Sequence, residues 1–362
     1  MPPDCRAERQ RRLRATLADQ GLDGLLVTHL PNIRYLTGFT GSAALLLIRG
    51  DDALLVTDFR YATQAPQELG QSARAEIDQA SVWHRLLTHL GEHPPQVLGI
   101  EAHALTVRDA ERLSGGTAGR VVPTNDLVER LRAVKDPGEV AAIRQAAELA
   151  QAALADVLPG VRVGRTEADV AAELESALRR RGSEWHPFAT IVASGPRSAL
   201  PHARTSRRAI EAGDWLLLDF GAQVDGYCAD LTRTVVVGRK ADERQRAIYE
   251  LVRTAQRRAI EHLRPGMTGR EGDALAREVI AERGFGQAFG HSLGHGLGLE
   301  VHEAPRVAPT AEAPLPLHAV VTVEPGIYLP GWGGVRLEDD IFLGPDGPEC
   351  LSDNRTELVE LV

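Results

Sequence analysis

Four carboxylate residues occupy matching places in two apolar segments in the second half of the chain. Asp219 ends one apolar run and Glu324 ends another. Each is followed by a glycine-containing turn region, 221–226 in the first case, and then by a second predicted strand that carries Asp230 or Glu338. If each pair lies on an antiparallel hairpin, its two carboxylates can face each other across the strands.

Four carboxylates cannot share a buried site without compensation, because mutual repulsion and desolvation would force them to take up protons. A pair of divalent cations removes both penalties. Carboxylate oxygens suit hard ions such as Mn²⁺, and one added imidazole extends the range to Co²⁺, Fe²⁺ or Zn²⁺. The matched carboxylates therefore predict a two-metal centre.

The imidazole for such a centre comes from residues 291–303, which hold His291, His295 and His302. The first two have the i, i+4 spacing of helical zinc sites, but the glycines between and after them disfavour a helix. Neither an HExxH motif nor the glycine spacing of a phosphate loop is present. Close backbone packing around a metal-bound imidazole accounts for these glycines better.

The remaining histidines have weaker support. His202, within Leu-Pro-His-Ala, suits a structural loop as well as a functional site. The other eight lack a supporting context and are interpreted as surface or packing residues: His29, His84, His89, His93, His103, His186, His262 and His318.

Two similar groups of elements position the carboxylates. Asp136, Pro137 and Glu139 form a helix start, and Thr166 is a second helix cap. The predicted helices are 136–158 and 166–182, then 241–263 and one that ends near 284. At an offset of 105 residues, Gly164-Arg165 corresponds to Gly269-Arg270 and Asp219 corresponds to Glu324. An internal duplication with a pseudo-two-fold axis would bring the two carboxylate pairs together.

The first ~120 residues alternate helical and strand patterns, which is typical of a small α/β domain. The expected helix is 6–20, and the expected strands are 24–28, 43–48, 53–57 and 97–100. A chain of 362 residues exceeds the usual size of a single core. We place an N-terminal domain at 1–128 and a second domain at 129–362.

Composition excludes several function classes. The net charge of −9 argues against nucleic acid or an anionic membrane surface as the main partner. The longest apolar run, 43–48, is too short to span a bilayer. Three widely spaced cysteines and a charged N-terminal segment without an apolar signal region favour a cytoplasmic protein.

These motifs resemble those of a known family. Residues 219–234, 291–303, 323–328 and 334–340 resemble the metal motifs of the proline-specific metallopeptidases with the pita-bread fold. That group contains aminopeptidase P and prolidase, with methionine aminopeptidase as a more distant relative. The match spans roughly 130–362, and residues 31–41 are similar to a loop in the N-terminal domain of the short bacterial members.

The resemblance implies a fold and a set of roles. The fold is an α/β N-terminal domain followed by an α+β pita-bread catalytic domain with pseudo-two-fold internal duplication. Glu324 would be both a metal ligand and a proton shuttle. Arg336 would contact the substrate or the ligands, or would alternatively pair with Asp339 or Asp340. The implied metal ligands are Asp219, Asp230, His295, Glu324 and Glu338; His291 and His202 would stabilise the tetrahedral intermediate, His302 would hold the substrate, and Tyr227 would contact the substrate or the ligands.

The implied activity is hydrolysis of the Xaa-Pro bond with two divalent ions per chain. Manganese is the favoured ion, and cobalt or zinc are alternatives. The loop at 31–41 and the compact length favour an Xaa-Pro aminopeptidase over an Xaa-Pro dipeptidase, and the family suggests a homodimer. Two rivals on the same fold, the metal-independent creatinase and a non-enzymatic binding module such as a histone chaperone, lack the ligand set that is complete here.

Overall fold

The computed structural model describes residues 5–352 and 356–362. The chain divides into two compact units between Arg132 and Ala133, a few residues after the boundary expected from the sequence. We call Met1–Arg132 unit 1 and Ala133–Val362 unit 2. Among the described residues, no helix combines the length and the apolar character that crossing a bilayer requires.

Unit 1 is an α/β domain built on one six-stranded sheet in the order β4-β3-β2-β1-β5-β6. Its strands are β1 Gly24–Val27, β2 Ala44–Arg49, β3 Asp52–Asp58, β4 Arg74–Asp78, β5 Val97–Glu101 and β6 Arg120–Thr124. Its helices are α1 Arg6–Asp19, α2 Leu30–Thr37, α3 Gln64–Leu69, α4 Val82–Glu92, α5 Val107–Gly116 and α6 Glu129–Arg132. The α/β class expected from the sequence is confirmed.

The four predicted strands of unit 1 are present, and two further strands were missed. Both missed strands lie at the edges of the sheet. β6 contains Pro123, which an edge strand tolerates because one side needs no ladder hydrogen bond. β4 is a charged segment, which is also typical of an edge. Neither strand shows the apolar run by which a central strand is recognised.

The described residues of unit 2 form four long helices and three sheets. The helices are α7 Pro137–Val157, α8 Glu167–Arg180, α9 Glu243–His262 and α10 Gly269–Glu282. The strands are β7 Ile191–Ser194, β8 Trp215–Val224, β9 Tyr227–Val237, β10 Gly294–Gly296, β11 Glu303–Val307, β12 Val320–Val323, β13 Gly326–Leu329, β14 Gly333–Arg336, β15 Asp339–Gly344, β16 Gly347–Cys350 and β17 Glu360–Leu361.

All four long helices begin with a capping box, in which a cap side chain and the third helical residue satisfy each other's backbone amides. The predicted caps Asp136 and Thr166 are confirmed. Asp242 and Thr268 cap the helices of the second repeat in the same way. This local chemistry explains why the helix starts could be located from the sequence alone.

The duplication is present, but one predicted equivalence is wrong. The strands β8 and β12 begin 105 residues apart, at Trp215 and Val320, whereas α8 and α10 have caps 102 residues apart, at Thr166 and Thr268. Gly164 therefore corresponds to Gly266 rather than to Gly269. The two glycines have φ of +89° and +87°. The offset changes because the connection between helix and strand is longer in the second repeat.

Candidate metal centre

The first carboxylate pair lies on one face of the hairpin formed by β8 and β9. Asp219 is opposite Thr232 and Asp230 is opposite Gly221, so the two acids are diagonal neighbours across the ladder. The predicted hairpin is confirmed, but the turn is shorter than expected. β8 continues to Val224, and only the two positive-φ residues 225 and 226 form the turn.

The second pair lies where two antiparallel ladders meet. β12 pairs with β15, and β13 pairs with β14. Glu324 follows β12, while Glu338 comes directly before β15. The backbone N–H of Glu338 donates to the carbonyl of Thr232 at 3.1 Å, and the Thr232 hydroxyl donates to the Glu338 carboxylate at 2.6 Å. These bonds join the second pair to the hairpin that carries the first.

His295 lies in the short strand β10, and its neighbours pack too closely for side chains. A Cβ at Gly294 would lie 1.9 Å from the Thr322 carbonyl oxygen, and one at Gly296 would lie 2.2 Å from the Ala304 oxygen. The expectation that these glycines permit close backbone packing is confirmed. Nδ1 of His295 lies 3.0 Å from the Gly296 carbonyl, so it donates there and leaves the Nε2 lone pair available.

The carboxylates and His295 converge. Its Nε2 lies 3.8 Å from Oδ2 of Asp230 and 3.6 Å from Oε1 of Glu324. Ligand atoms of Asp230, His295 and Glu338 all lie within 4.8 Å of one another. The structure therefore brings the imidazole into the space between the two carboxylate pairs.

The electrostatics of this cluster fit divalent cations. Burial and the neighbouring carboxylates raise the pKa values of Asp230 and Glu324 well above their ordinary range. Burial, together with repulsion from the charge of Asp219, raises the pKa of Glu338 to about 8. Among the described residues, nothing donates a hydrogen bond to the buried Oδ1 atoms of Asp219 and Asp230. A dication would satisfy these oxygens and remove the repulsion.

Arg336 pairs with Asp219, not with the acids suggested as its alternative partners. Its Nη2 lies 2.5 Å from Asp219 Oδ2, and its Nη1 donates to the Tyr328 hydroxyl at 2.7 Å. Asp339 instead binds the guanidinium of Arg233 at 2.7 Å, and Asp340 accepts from the Asp230 backbone N–H at 3.1 Å. The alternative of a structural pair with Asp339 or Asp340 is wrong, because β14 directs the Arg336 side chain toward Asp219 in β8.

His291 has both ring nitrogens engaged. Nδ1 lies 2.8 Å from the Ser292 carbonyl, and Nε2 lies 2.9 Å from the Tyr328 hydroxyl. Burial and the nearby Arg336 lower the pKa of His291 to about 4, so the ring is neutral. Tyr328 was missed by the sequence reasoning. Its even spacing from Glu324 was the available signal, since alternate residues share a face.

The convergent residues open onto a cavity of about 500 Å³. His202, His302 and Phe188 line it, and so does Arg306, which the sequence reasoning missed. The residues that line it also include Asp219, Asp230, His291, His295, Glu324, Arg336 and Glu338.

Tyr227 was expected to contact the substrate or the ligands, but it is not among the residues that line the cavity. Its hydroxyl donates to Glu139 at 3.1 Å, and its ring packs against a cluster that contains Val140 and Ile143. The position of Tyr227 at the start of β9, directly after the hairpin turn, directs the side chain toward α7.

Comparison with known proteins decides the family. The sequence profile of metallopeptidase family M24 matches residues 141–345, and that of the creatinase/prolidase N-terminal domain matches 9–134. The chain belongs to metallopeptidase family M24. The M24 assignment confirms the resemblance found in the sequence, and it establishes that the protein is a metallopeptidase.

Three relatives of this M24 peptidase match it along nearly the whole chain. The Xaa-Pro dipeptidase of Pyrococcus horikoshii is 36% identical over 98% of this chain and 100% of its own length. A solved Xaa-Pro dipeptidase from Bacillus anthracis is 41% identical, with a TM-score of 0.95 over 98% of this chain and 100% of that one. A solved X-Pro aminopeptidase from Thermotoga maritima is 38% identical, with a TM-score of 0.89 over 94% and 98%. The expected fold, with a pita-bread catalytic domain, is confirmed.

Proposed function

We propose that this M24 peptidase is an Xaa-Pro dipeptidase with two divalent ions per chain. The observation that carries the proposal is the position of Arg306. This cation lines the same cavity as the proposed ligands, where it could bind the carboxylate of a dipeptide. The expectation from the sequence, based on the loop at 31–41 and the compact length, was an Xaa-Pro aminopeptidase. Two of the three relatives described above are named Xaa-Pro dipeptidase, which supports the alternative instead.

Five residues would hold the ions: Asp219, Asp230, His295, Glu324 and Glu338. When bound, the ions would polarise the scissile carbonyl and lower the pKa of an attacking water. A ligand set dominated by carboxylates favours manganese, and its single imidazole keeps cobalt and zinc as alternatives.

Glu324 is the proposed proton carrier. It is only partly buried, and it lines the cavity between His295 and His291, whose Nδ1 lies 3.8 Å from its Oε2. Its position in the cavity places a carboxylate oxygen where an attacking water and a scissile bond would lie. Glu324 would accept a proton from the attacking water and pass it to the proline nitrogen as the peptide bond breaks.

We assign His202 to donating a hydrogen bond to the oxyanion of the tetrahedral intermediate, and His302 to donating one to the bound substrate. Both line the cavity and both are exposed to it. His291 was expected to share this role, but its ring nitrogens are bonded to Ser292 and Tyr328. We therefore assign His291 to holding the Tyr328 hydroxyl, which in turn accepts from Arg336.

Arg306 is the proposed partner of the substrate carboxylate. It is exposed in β11, where it pairs in register with His295. No carboxylate of the described residues forms an ion pair with its guanidinium. Arg336, which also lines the cavity, is already bonded to Asp219. In an Xaa-Pro dipeptide the proline itself carries the free carboxylate. An arginine can bind that group with two parallel hydrogen bonds.

The test is hydrolysis of matched substrates Xaa-Pro and Xaa-Pro-Yaa by the manganese-loaded chain. We expect kcat/KM for the dipeptide to exceed that for the tripeptide by at least about tenfold, the effect of one charge-assisted bond. An equal or faster rate on the tripeptide would reassign the protein as an aminopeptidase. No hydrolysis of either substrate would reject both activities.

The proposal includes a cytoplasmic homodimer. Cys228 and Cys350 are free thiols, which is compatible with a reducing compartment. Light scattering of the purified chain would test the dimer, with a mass of twice 39.2 kDa as the expected result.

A further inference from the structure

Three segments of unit 1 that carry potential metal ligands follow adjacent parallel strands. β1 pairs in parallel with β5, and β5 pairs in parallel with β6. His29 comes two residues after β1, His103 comes two residues after β5, and Glu129 begins the helix after β6. The carboxyl ends of parallel strands meet at one edge of a sheet, which is where ligands bind in open α/β folds.

The three side chains converge at this edge. One ligand atom from each lies within 4.8 Å of the others. Nε2 of His103 lies 3.3 Å from Oε1 of Glu129, and the rings of His29 and His103 meet edge to face with centroids 5.2 Å apart. Two ligands of a tetrahedral zinc ion, each at ~2.0–2.1 Å from the metal, lie roughly 3.3 Å apart. The His103–Glu129 distance already has this value.

A buried polar network holds two of the three groups in place. The Asn32 amide donates to Glu129 at 2.5 Å and to Glu101 at 2.6 Å, and it accepts from Arg132 at 2.7 Å. The other Glu101 oxygen accepts the backbone N–H of His29 at 2.8 Å. Asn32, Glu101 and Arg132 are all buried. Outer partners of this kind orient ligands and are part of the design of metal sites.

We propose that His29, His103 and Glu129 form a zinc site in unit 1, additional to the metal centre of unit 2. Two imidazoles and one carboxylate select zinc or a similar transition metal over the harder manganese or magnesium ions. Three protein ligands leave one tetrahedral position for water. The ion would tie together the segments that follow β1, β5 and β6, and so would stabilise unit 1.

The competing interpretation is a surface ion pair. His103 is exposed, and in this view its Nε2 contacts Glu129 with no ion between them. The sequence likewise placed His29 and His103 among surface or packing residues. The two interpretations differ in one measurable respect, because only the zinc site adds a bound ion that depends on His103.

The experiment is zinc titration of the full chain after chelator treatment, in competition with a chromophoric chelator. The variants are His103→Ala and Glu129→Gln, which keeps a side-chain oxygen for the Asn32 amide. The matched control is His84→Ala, which removes an exposed imidazole elsewhere in unit 1. We expect both site variants to bind one zinc fewer per chain than wild type, or to bind it at least about tenfold more weakly. The control should match wild type.

Comparing variants with wild type separates this site from the metal centre, whose zinc is present in all of them. Equal stoichiometry and affinity in wild type and His103→Ala would overturn the proposal. Anomalous diffraction at the zinc edge gives a second criterion. A peak among His29, His103 and Glu129 supports the site, and a zinc-treated crystal without that peak rejects it. Neither outcome depends on which peptides the chain hydrolyses.

Discussion

The guanidinium of Arg336 donates to the carboxylate of Asp219, with 2.5 Å between Nη2 and Oδ2. One oxygen of a predicted metal ligand is thus bonded to a buried cation, while the other has no hydrogen-bond donor among the described residues. The Nε of Arg336 also donates to the Thr232 hydroxyl at 3.1 Å, and that hydroxyl donates to Glu338. Arg336 therefore contacts Asp219 directly and Glu338 through Thr232, and these are predicted ligands from the two halves of the duplication.

Replacing Arg336 with Met should lower both kcat/KM and manganese affinity by about 10- to 100-fold, the usual effect of losing a residue that orients metal ligands. Peptidase assays and metal titration would measure this. The matched control is Arg181→Met, which removes a guanidinium from an exposed pair with Asp156. Arg181→Met should retain the wild-type kcat/KM and manganese affinity. If Arg336→Met also retained both values, the assignment of Arg336 would be contradicted.

Glu324→Gln and His295→Ala should each abolish peptidase activity and lower the bound manganese below two ions per chain, because each removes a proposed ligand. Elemental analysis of the purified variants and a dipeptide assay would measure both effects. The control is His262→Ala. It removes an exposed histidine at the end of α9 that does not line the cavity. Full activity in either ligand variant would refute the proposed ligand set.

Arg306→Leu should raise KM for Xaa-Pro about 10- to 100-fold and should leave kcat nearly unchanged, because the lost ion pair holds the substrate without taking part in bond cleavage. The same change should affect an Xaa-Pro-Yaa substrate much less, since its carboxylate lies one residue further on. Arg306→Lys keeps the charge and should lose less. Equal effects on both substrates would contradict a role in binding the dipeptide carboxylate.

Metal-free protein should lose stability as the pH rises from 6.5 to 8. The folded-state pKa of Glu338 is about 8, above its ordinary value of 4.5, so in this range the folded state binds more protons than the unfolded state. Stability then falls with increasing pH, by about 1–2 kcal/mol for this group alone. His291 and His295 act in the opposite direction, because their folded-state pKa is about 4 but their ordinary value is 6.5. The unfolded state therefore binds more of their protons at pH 6.5, and each offsets at most about half a kcal/mol of the loss.

Bound manganese should remove this loss, because it stabilises the charged carboxylates. The increase in Tm on adding manganese should therefore be larger at pH 8 than at pH 6.5. Calorimetry of chelator-treated and manganese-loaded protein at the two pH values would measure it. A smaller manganese effect at pH 8 would show that the carboxylates do not titrate as their burial implies.

Local patterns predicted much of the fold. The capping boxes at Asp136 and Thr166 and the apolar strands β1, β2, β3 and β5 depend on neighbouring residues, so they were visible in the sequence. The edge strands β4 and β6 were missed because a charged segment and a proline are acceptable where a strand has one unpaired side. The offset of the duplicated helices was also wrong, since the length of a connection does not follow from helix caps.

The convergence of the four acidic residues was predictable because strand alternation places residues of a hairpin on a common face, and their repulsion then calls for cations. The partner of Arg336 could not be predicted in this way. Asp219, Asp339 and Asp340 were all chemically suitable, and only the path of β14 selected Asp219.

The sequence by itself determined the types and the order of the predicted ligands and the hairpin pairing of Asp219 with Asp230, because these follow from local periodicity and from the chemistry of carboxylates. Tertiary structure alone decided that Tyr328 engages His291, that Arg306 lines the cavity, and that His29 and His103 meet beside Glu129. His29 and His103 are 74 residues apart (29 to 103) on separate strand ends. Their proximity results from the parallel pairing of β1 with β5, which no local pattern records.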